Sequence, residues 1–296
     1  MKRWVGLVVA FLLFANYSAW GQGDGNVERA HFHHVHLNIT DPSRTVSYYT
    51  KIHGAVRTKY RNKVDALFTE RSFILWNRVK EQPPAEVKSG LWHIGWGGRD
   101  VPAEYEWFKK NKLAKIHTEL YPLNNIWVTY LSGPDDERIE VNTMGHNRFG
   151  HVHLLAKDVN ATTAWYGKFL GIEIRRPNVP KPEDLQAVRA WSSGFRCDNI
   201  SFVVYGIPDY VPSPPWWPDE PLMKPTTSKG RVIDHIAFSY RDIDPVFERM
   251  KKQGAKIVAP IKMDDEFGHR SFFVEAPDGV LVEIVEAKPI PDGVWE

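Results

Sequence analysis

The 296-residue chain has room for two ordinary domains of roughly 100–200 residues each. Its balance of 38 basic and 36 acidic side chains gives no electrostatic case for a nucleic-acid partner, and its composition is that of a folded globular protein. The single cysteine, Cys197, excludes an internal disulfide and a thiolate metal site.

The first residues read as an export segment. Lys2 and Arg3 are basic, Trp4 to Ala15 is apolar apart from Gly6, and Ala19-Trp20-Gly21 supplies small residues around a cut near Gly21–Gln22. Residues 1–21 are therefore expected to be a signal peptide. The alternative is an uncleaved anchor, for which the run is short against the roughly 20 residues a span needs. No cysteine follows to carry a lipid, so the mature protein is expected in the periplasm or outside the cell, with no membrane contact.

From Phe32 a short pattern occurs four times. His34-Val35-His36-Leu37 with Asp41 returns, 117 residues on, as His151-Val152-His153-Leu154 with Asp158. His93-Ile94-Gly95-Trp96 with Asp100 and His235-Ile236-Ala237-Phe238 with Asp242 keep the same seven-residue step from His to Asp. In the first copy, alternation places His34, His36 and Asn38 on one strand face. Asp41-Pro42 opens a helix through Val46, Tyr49 and Ile52 that stops at Gly54. Strands are expected over 55–60, 66–69 and 72–79.

In the second copy His93, Gly95 and Gly97 share a face. A helix opens at Asp100, and strands near 114–119, 126–131 and 138–143 surround a Gly133-Pro134-Asp135-Asp136 turn. In the third, His151, His153 and Leu155 share a face, and a helix runs from Asp158 to Gly171. Strands are expected over 172–175, 189–192 and 200–205. The long connection from Pro208 to Pro225 carries Trp216-Trp217, either a lid over a cavity or a rigid surface connector. In the fourth, His235, Ala237 and Ser239 share a face. A helix opens at Asp242, strands follow over 255–260, 271–275 and 280–286, and Pro277-Asp278-Gly279 makes the last turn.

Copy one matches copy three at the helix end (Tyr48 to Gly54 against Trp165 to Gly171). Copy two matches copy four at Arg99-Asp100-Val101 and Arg241-Asp242-Ile243. The duplicated unit is thus a pair of copies, and two domains are expected, 32–146 and 149–288, the second with an insertion at about 206–230.

Over about residues 32–287 this arrangement resembles the vicinal oxygen chelate superfamily, which includes glyoxalase, extradiol ring-cleaving dioxygenases and the bleomycin- and fosfomycin-resistance proteins. The resemblance implies an α+β fold: four βαβββ modules paired into two half-barrel domains, each around a divalent metal (Fe, Mn, Zn, Ni or Co). On the family pattern the amino-terminal half offers His34, His93 and Glu140, and the carboxy-terminal half His151, His235 and Glu283. Two imidazoles and a carboxylate leave coordination positions open for vicinal oxygens of a substrate. A small-molecule substrate and a homodimer are within the family's range.

Departures from the family pattern are visible. Phe273 stands ten residues before Glu283, where ring-cleaving enzymes carry a Tyr, and Asp264 stands near the place of their His. Tyr130 does stand ten before Glu140, facing it across the hairpin, as a candidate catalytic group. The extra carboxylate of glyoxalase sites is absent from 72–79 and 200–205. His36 and His153 share the ligand face, as acid/base groups near neutral pH or as hydrogen-bond partners of the ligands. His269, by register, joins the Glu283 face, and with Trp216 and Trp217 is a candidate substrate contact. Gly95, Gly97, Ala237 and Ser239 are expected to leave room for substrate. Three functions compete: a metal-dependent lyase, isomerase or oxygenase; a small-molecule sequestering protein; a partner-binding module with relic sites.

Overall fold

The computed structural model describes residues 28–123, 125–143, 148–175, 192–206 and 225–290. The expected signal peptide and the Trp216-Trp217 segment lie outside the described residues.

The first module runs β1 (His31–Ile39), α1 (Pro42–His53), β2 (Val56–Tyr60), β3 (Val64–Thr69) and β4 (Ser72–Arg78). The second is β5 (Leu91–Gly97), α2 (Val101–Asn111), β6 (Lys115–Ile116), β7 (Tyr121–Leu123), β8 (Ile126–Ser132) and β9 (Arg138–Asn142). The third is β10 (Arg148–Ala156), α3 (Val159–Leu170), β11 (Ser192–Cys197) and β12 (Ile200–Gly206). The fourth is β13 (Ile233–Tyr240), α4 (Asp244–Lys252), β14 (Lys256–Asp264), β15 (His269–Ala276) and β16 (Val280–Glu286). Two modules depart from the expected pattern. The strand expected over 114–119 is split into β6 and β7, both paired with β8. The strand expected over 172–175 is reduced to one bridge, Ile174 to Phe195.

The aspartates start three helices as expected. Asp41 accepts from the N–H groups of Ser43 and Arg44, Asp100 from Ala103, and Asp158 from Ala161, filling donors that a helix's first turn leaves open. Asp242 does not cap α4. It accepts from Asp244 N–H, and the helix starts two residues later, with Pro245 in its first turn. Gly54 and Gly171 close α1 and α3 at φ 64° and 68°, the left-handed region that glycine enters without strain.

Among the described residues sixteen strands form two eight-stranded sheets, and each sheet draws its strands from both expected halves. One sheet has the order β14-β15-β16-β13-β1-β4-β3-β2, the other β11-β12-β10-β5-β9-β8-β6 with β7 on β8. Module one pairs with module four, and module two with module three. The linkers supply the reason. Twelve residues, 79–90, separate β4 from β5 and allow the chain to leave the first sheet; only five, 143–147, separate β9 from β10 and hold modules two and three together.

The face of each sheet opposite its histidines packs into one shared core with the helices. Val35, Leu37, Ile94, Trp96, Val152, Leu154, Ile236 and Phe238 all belong to it. At its centre Phe32 meets Phe149, Phe202 and Phe238 at ring separations of 5.9, 5.7 and 5.8 Å, joining strands of both sheets. Bonds between modules reinforce the join: Arg148 reaches both oxygens of Glu70 at 2.7 Å, and Tyr49 donates to Glu137 at 2.8 Å. Among the described residues no helix is long and apolar enough to cross a membrane.

Candidate metal centres

Each sheet builds one centre, and both use the same register. In the first, antiparallel pairing of β1 with β13 sets His34 opposite Ala237 and His36 opposite His235. Parallel β16 brings Glu283 alongside Ala237, with Phe273 opposite Glu283 on β15. In the second, β10 and β5 set His151 opposite Gly95 and His153 opposite His93. Parallel β9 brings Glu140 alongside Gly95, with Tyr130 opposite Glu140 on β8. Register shifts fall at matching places on β1 and β10, after Phe32 and after Phe149, so that the phenylalanine points into the core and the histidine two residues on points into the centre.

At the first centre Glu283 is reached by three imidazole Nε2 atoms at 3.2 Å each: His34, His235 and His269. His36 stacks on His235 with ring centres 4.5 Å apart. Outside this ring of contacts, Asp234 bonds His235 Nδ1 at 2.7 Å and itself accepts from Asn38 and Gly230, while Tyr60 contacts His269 Nδ1 at 3.0 Å. Such bonds fix which ring nitrogen faces the centre. At the second centre Glu140 is reached by His93 Nε2 at 3.1 Å, and by His151 Nε2 and His153 Nδ1 at 3.5 Å each. Tyr130 donates to Glu140 at 2.9 Å, and Asn142 Nδ2 donates to the other Glu140 oxygen at 2.7 Å.

The trios expected from the sequence are therefore recombined. His34 and His93 lie in different centres, as do His151 and His235, because the modules pair across the halves. The sets that meet are His34, His235 and Glu283, and His93, His151 and Glu140; each glutamate keeps the histidine of its own module. His269 does reach Glu283, and Tyr130 does reach Glu140. Trp216 and Trp217 lie outside the described residues. The room expected beside Gly95 belongs to no substrate: a Cβ there would overlap the His151 ring at Nε2, Cε1 and Cδ2. Asp234 and Asn142 were not anticipated. Asp234 directly precedes His235, and Asn142 follows Glu140 by the two-residue step that shares a strand face.

Burial sets the protonation. It lowers His34 and His36 to about 3, His93 to about 4, and His151 and His153 below their ordinary value, so these imidazoles are neutral. For His36 and His153 this corrects the expectation of acid/base groups near neutral pH. Burial opposes charge on His235 as well, but its bonds to Asp234 and Glu283 outweigh that and lift it to about 9. Burial alone would raise both glutamates; the surrounding imidazoles overcome it and hold both well below the usual carboxylate range. Neutral imidazoles grouped on an ionised carboxylate make a donor set for a divalent cation at the second centre; at the first, a cation would displace the proton of His235. A second observation fits a cation too. The Nε2 atoms of His36 and His151 and the Nδ1 of His153 are buried without any hydrogen-bond partner, a state that buried polar atoms rarely tolerate.

Residues 148–284 match the family model of the Glyoxalase/Bleomycin resistance protein/Dioxygenase superfamily. Glyoxalase I from Zea mays superposes with a TM-score of 0.65 at 17% identity, over 87% of this chain and 92% of that one. A putative dioxygenase from Bacillus subtilis superposes at 0.56 with 12% identity, over 87% and 85%. Residues 148–284 thus carry the sequence pattern of that superfamily, and the fold of glyoxalase I is shared along most of the chain. No curated protein sequence matches it.

Proposed function

We propose that the protein is an exported, metal-dependent enzyme acting on a small oxygen-bearing substrate, as a lyase, isomerase or oxygenase. The observation that carries this reading is the pair of buried His/Glu clusters in which several imidazole nitrogens converge without hydrogen-bond partners. A divalent metal there, of the Fe, Mn, Zn, Ni or Co type, supplies Lewis acidity toward vicinal oxygens of a bound substrate. His34, His235 and Glu283 would hold one ion, and His93, His151 and Glu140 the other.

The second centre is better equipped for chemistry. Tyr130 is kept protonated by burial and by the Glu140 charge, so it offers an O–H donor at the centre. Its place in the first centre is taken by Phe273, which meets His235 edge-on. The first centre is also covered: Phe267 packs with Tyr60, Ala66 and Leu75 and lies 5.4 Å from the His36 ring. The missing hydroxyl and the cover favour, for the first centre alone, a second reading as a binding or sequestering site.

Metal content of the purified mature protein, measured before and after His→Ala at 34, 93, 151 and 235, tests the proposal. Bound metal in the parent and its loss in the variants is expected; a metal-free parent refutes the metalloenzyme. Export rests on the composition of residues 1–21, and recovery of protein beginning at Gln22 is the expected result. A small molecule is the proposed partner, with a homodimer as the assembly to test by sedimentation.

A further inference from the structure

The His-Val-His strings of β1 and β10 place two imidazoles, not one, at each centre. Side chains two apart on a strand start about 6.6 Å from each other. The rings of His151 and His153 have closed to 4.5 Å, and His153 also lies 4.5 Å from His93, its partner across the strands. One nitrogen each from His93, His151 and His153 and one Glu140 oxygen all lie within 4.8 Å of one another. Of these, His153 Nδ1 is buried, has no hydrogen-bond partner and sits 3.5 Å from Glu140. In the first centre one nitrogen each from His34, His36 and His235 also lie within 4.8 Å of one another, but no Glu283 oxygen joins that group.

A group that only relays protons or braces a ligand needs one nitrogen bonded outward to a partner and has no reason to aim an unpartnered nitrogen at the carboxylate. We infer that the second histidine of the β10 string is itself a metal ligand, so that His153 completes a three-histidine, one-carboxylate set with His93, His151 and Glu140. The inference rests on the metal reading proposed above and narrows it. A six-coordinate ion with four protein ligands keeps two positions. Two positions suit a substrate that presents two neighbouring oxygens and leave none for a small co-substrate beside it, which favours a lyase or isomerase over an oxygenase.

The test loads the full mature chain with Co(II) and determines its crystal structure, with anomalous scattering to place the ion. His153 Nδ1 is expected at a bonding distance of about 2.1 Å. A His153→Ala variant, checked by far-UV circular dichroism, is expected to lose Co(II) affinity at the second centre by about 100-fold or more, beyond the 10–100-fold typical of residues behind the ligands. His153→Gln gives the same readout should the alanine variant fold poorly. An ion held by His93, His151 and Glu140 with His153 more than about 3 Å away, outside any bonding distance, overturns the inference and leaves the metal reading standing. A parent chain that takes up no Co(II) overturns both.

Discussion

Gly95→Ala isolates one contact on which the second centre depends. The three atoms nearest the added methyl would all be in the His151 ring, close enough to overlap it, so the ring must swing away. The strain has two sources. Overpacking a buried site costs about 1–3 kcal/mol, and holding a ring off its rotamer costs about 0.5–1.5 kcal/mol. A net loss of about 2 kcal/mol is expected, seen as a fall in melting temperature on the order of 5 °C. Because the three nearest atoms belong to His151, the penalty should vanish in a His151→Ala background, where the new methyl enters space the ring has left. A double-mutant cycle then reads a coupling of about 2 kcal/mol. Metal analysis of Gly95→Ala should show the second centre empty and the first filled, since Ala237 already occupies the matching position there. An equal penalty in both backgrounds, or none in either, would refute the placement of His151 against Gly95.

The crossed pairing is tested by double variants: His34→Ala/His235→Ala should remove one ion per chain and His34→Ala/His93→Ala two, counted by mass spectrometry. The opposite ranking would restore the within-half trios. Burial lifts Glu137 to about 7, against opposing bonds from Tyr49 and Asp135 N–H. Its folded-state value is above the unfolded one, so stability falls as pH rises from about 4.5 to 7, by on the order of 3 kcal/mol; urea midpoints at pH 5 and pH 8 should differ less in Glu137→Gln. Phe267→Ala should cost about 3 kcal/mol and speed chelator removal of metal from the first centre, leaving the second unchanged.

What the sequence disclosed was periodic; what it withheld depended on which modules met. Strand alternation is local, so the faces of β1, β5, β10 and β13 and the Asp41, Asp100 and Asp158 caps could be read from spacing. Glu140 and Glu283 could be placed because each lies on a strand hydrogen-bonded to the first strand of its own module, a neighbour that connectivity within the module sets. The partners of His34 and His151 lie in another module, and nothing in a repeated His-x-His distinguishes one equivalent strand from another. The deciding signal was present but lay outside the motif. A five-residue link from Asn142 to Arg148 keeps β9 and β10 in one sheet, whereas twelve residues from Arg78 to Leu91 permit a crossing. Loop closure disfavours the longer link only slightly, since its cost grows with the logarithm of length. The duplication supports the same conclusion. Copies one and three are alike, as are two and four, so pairing one with four repeats the interface made by three with two, down to His36 opposite His235 and His153 opposite His93. Two equivalent interfaces would also arise from within-half pairing. The linkers break that degeneracy, and with it the composition of both centres.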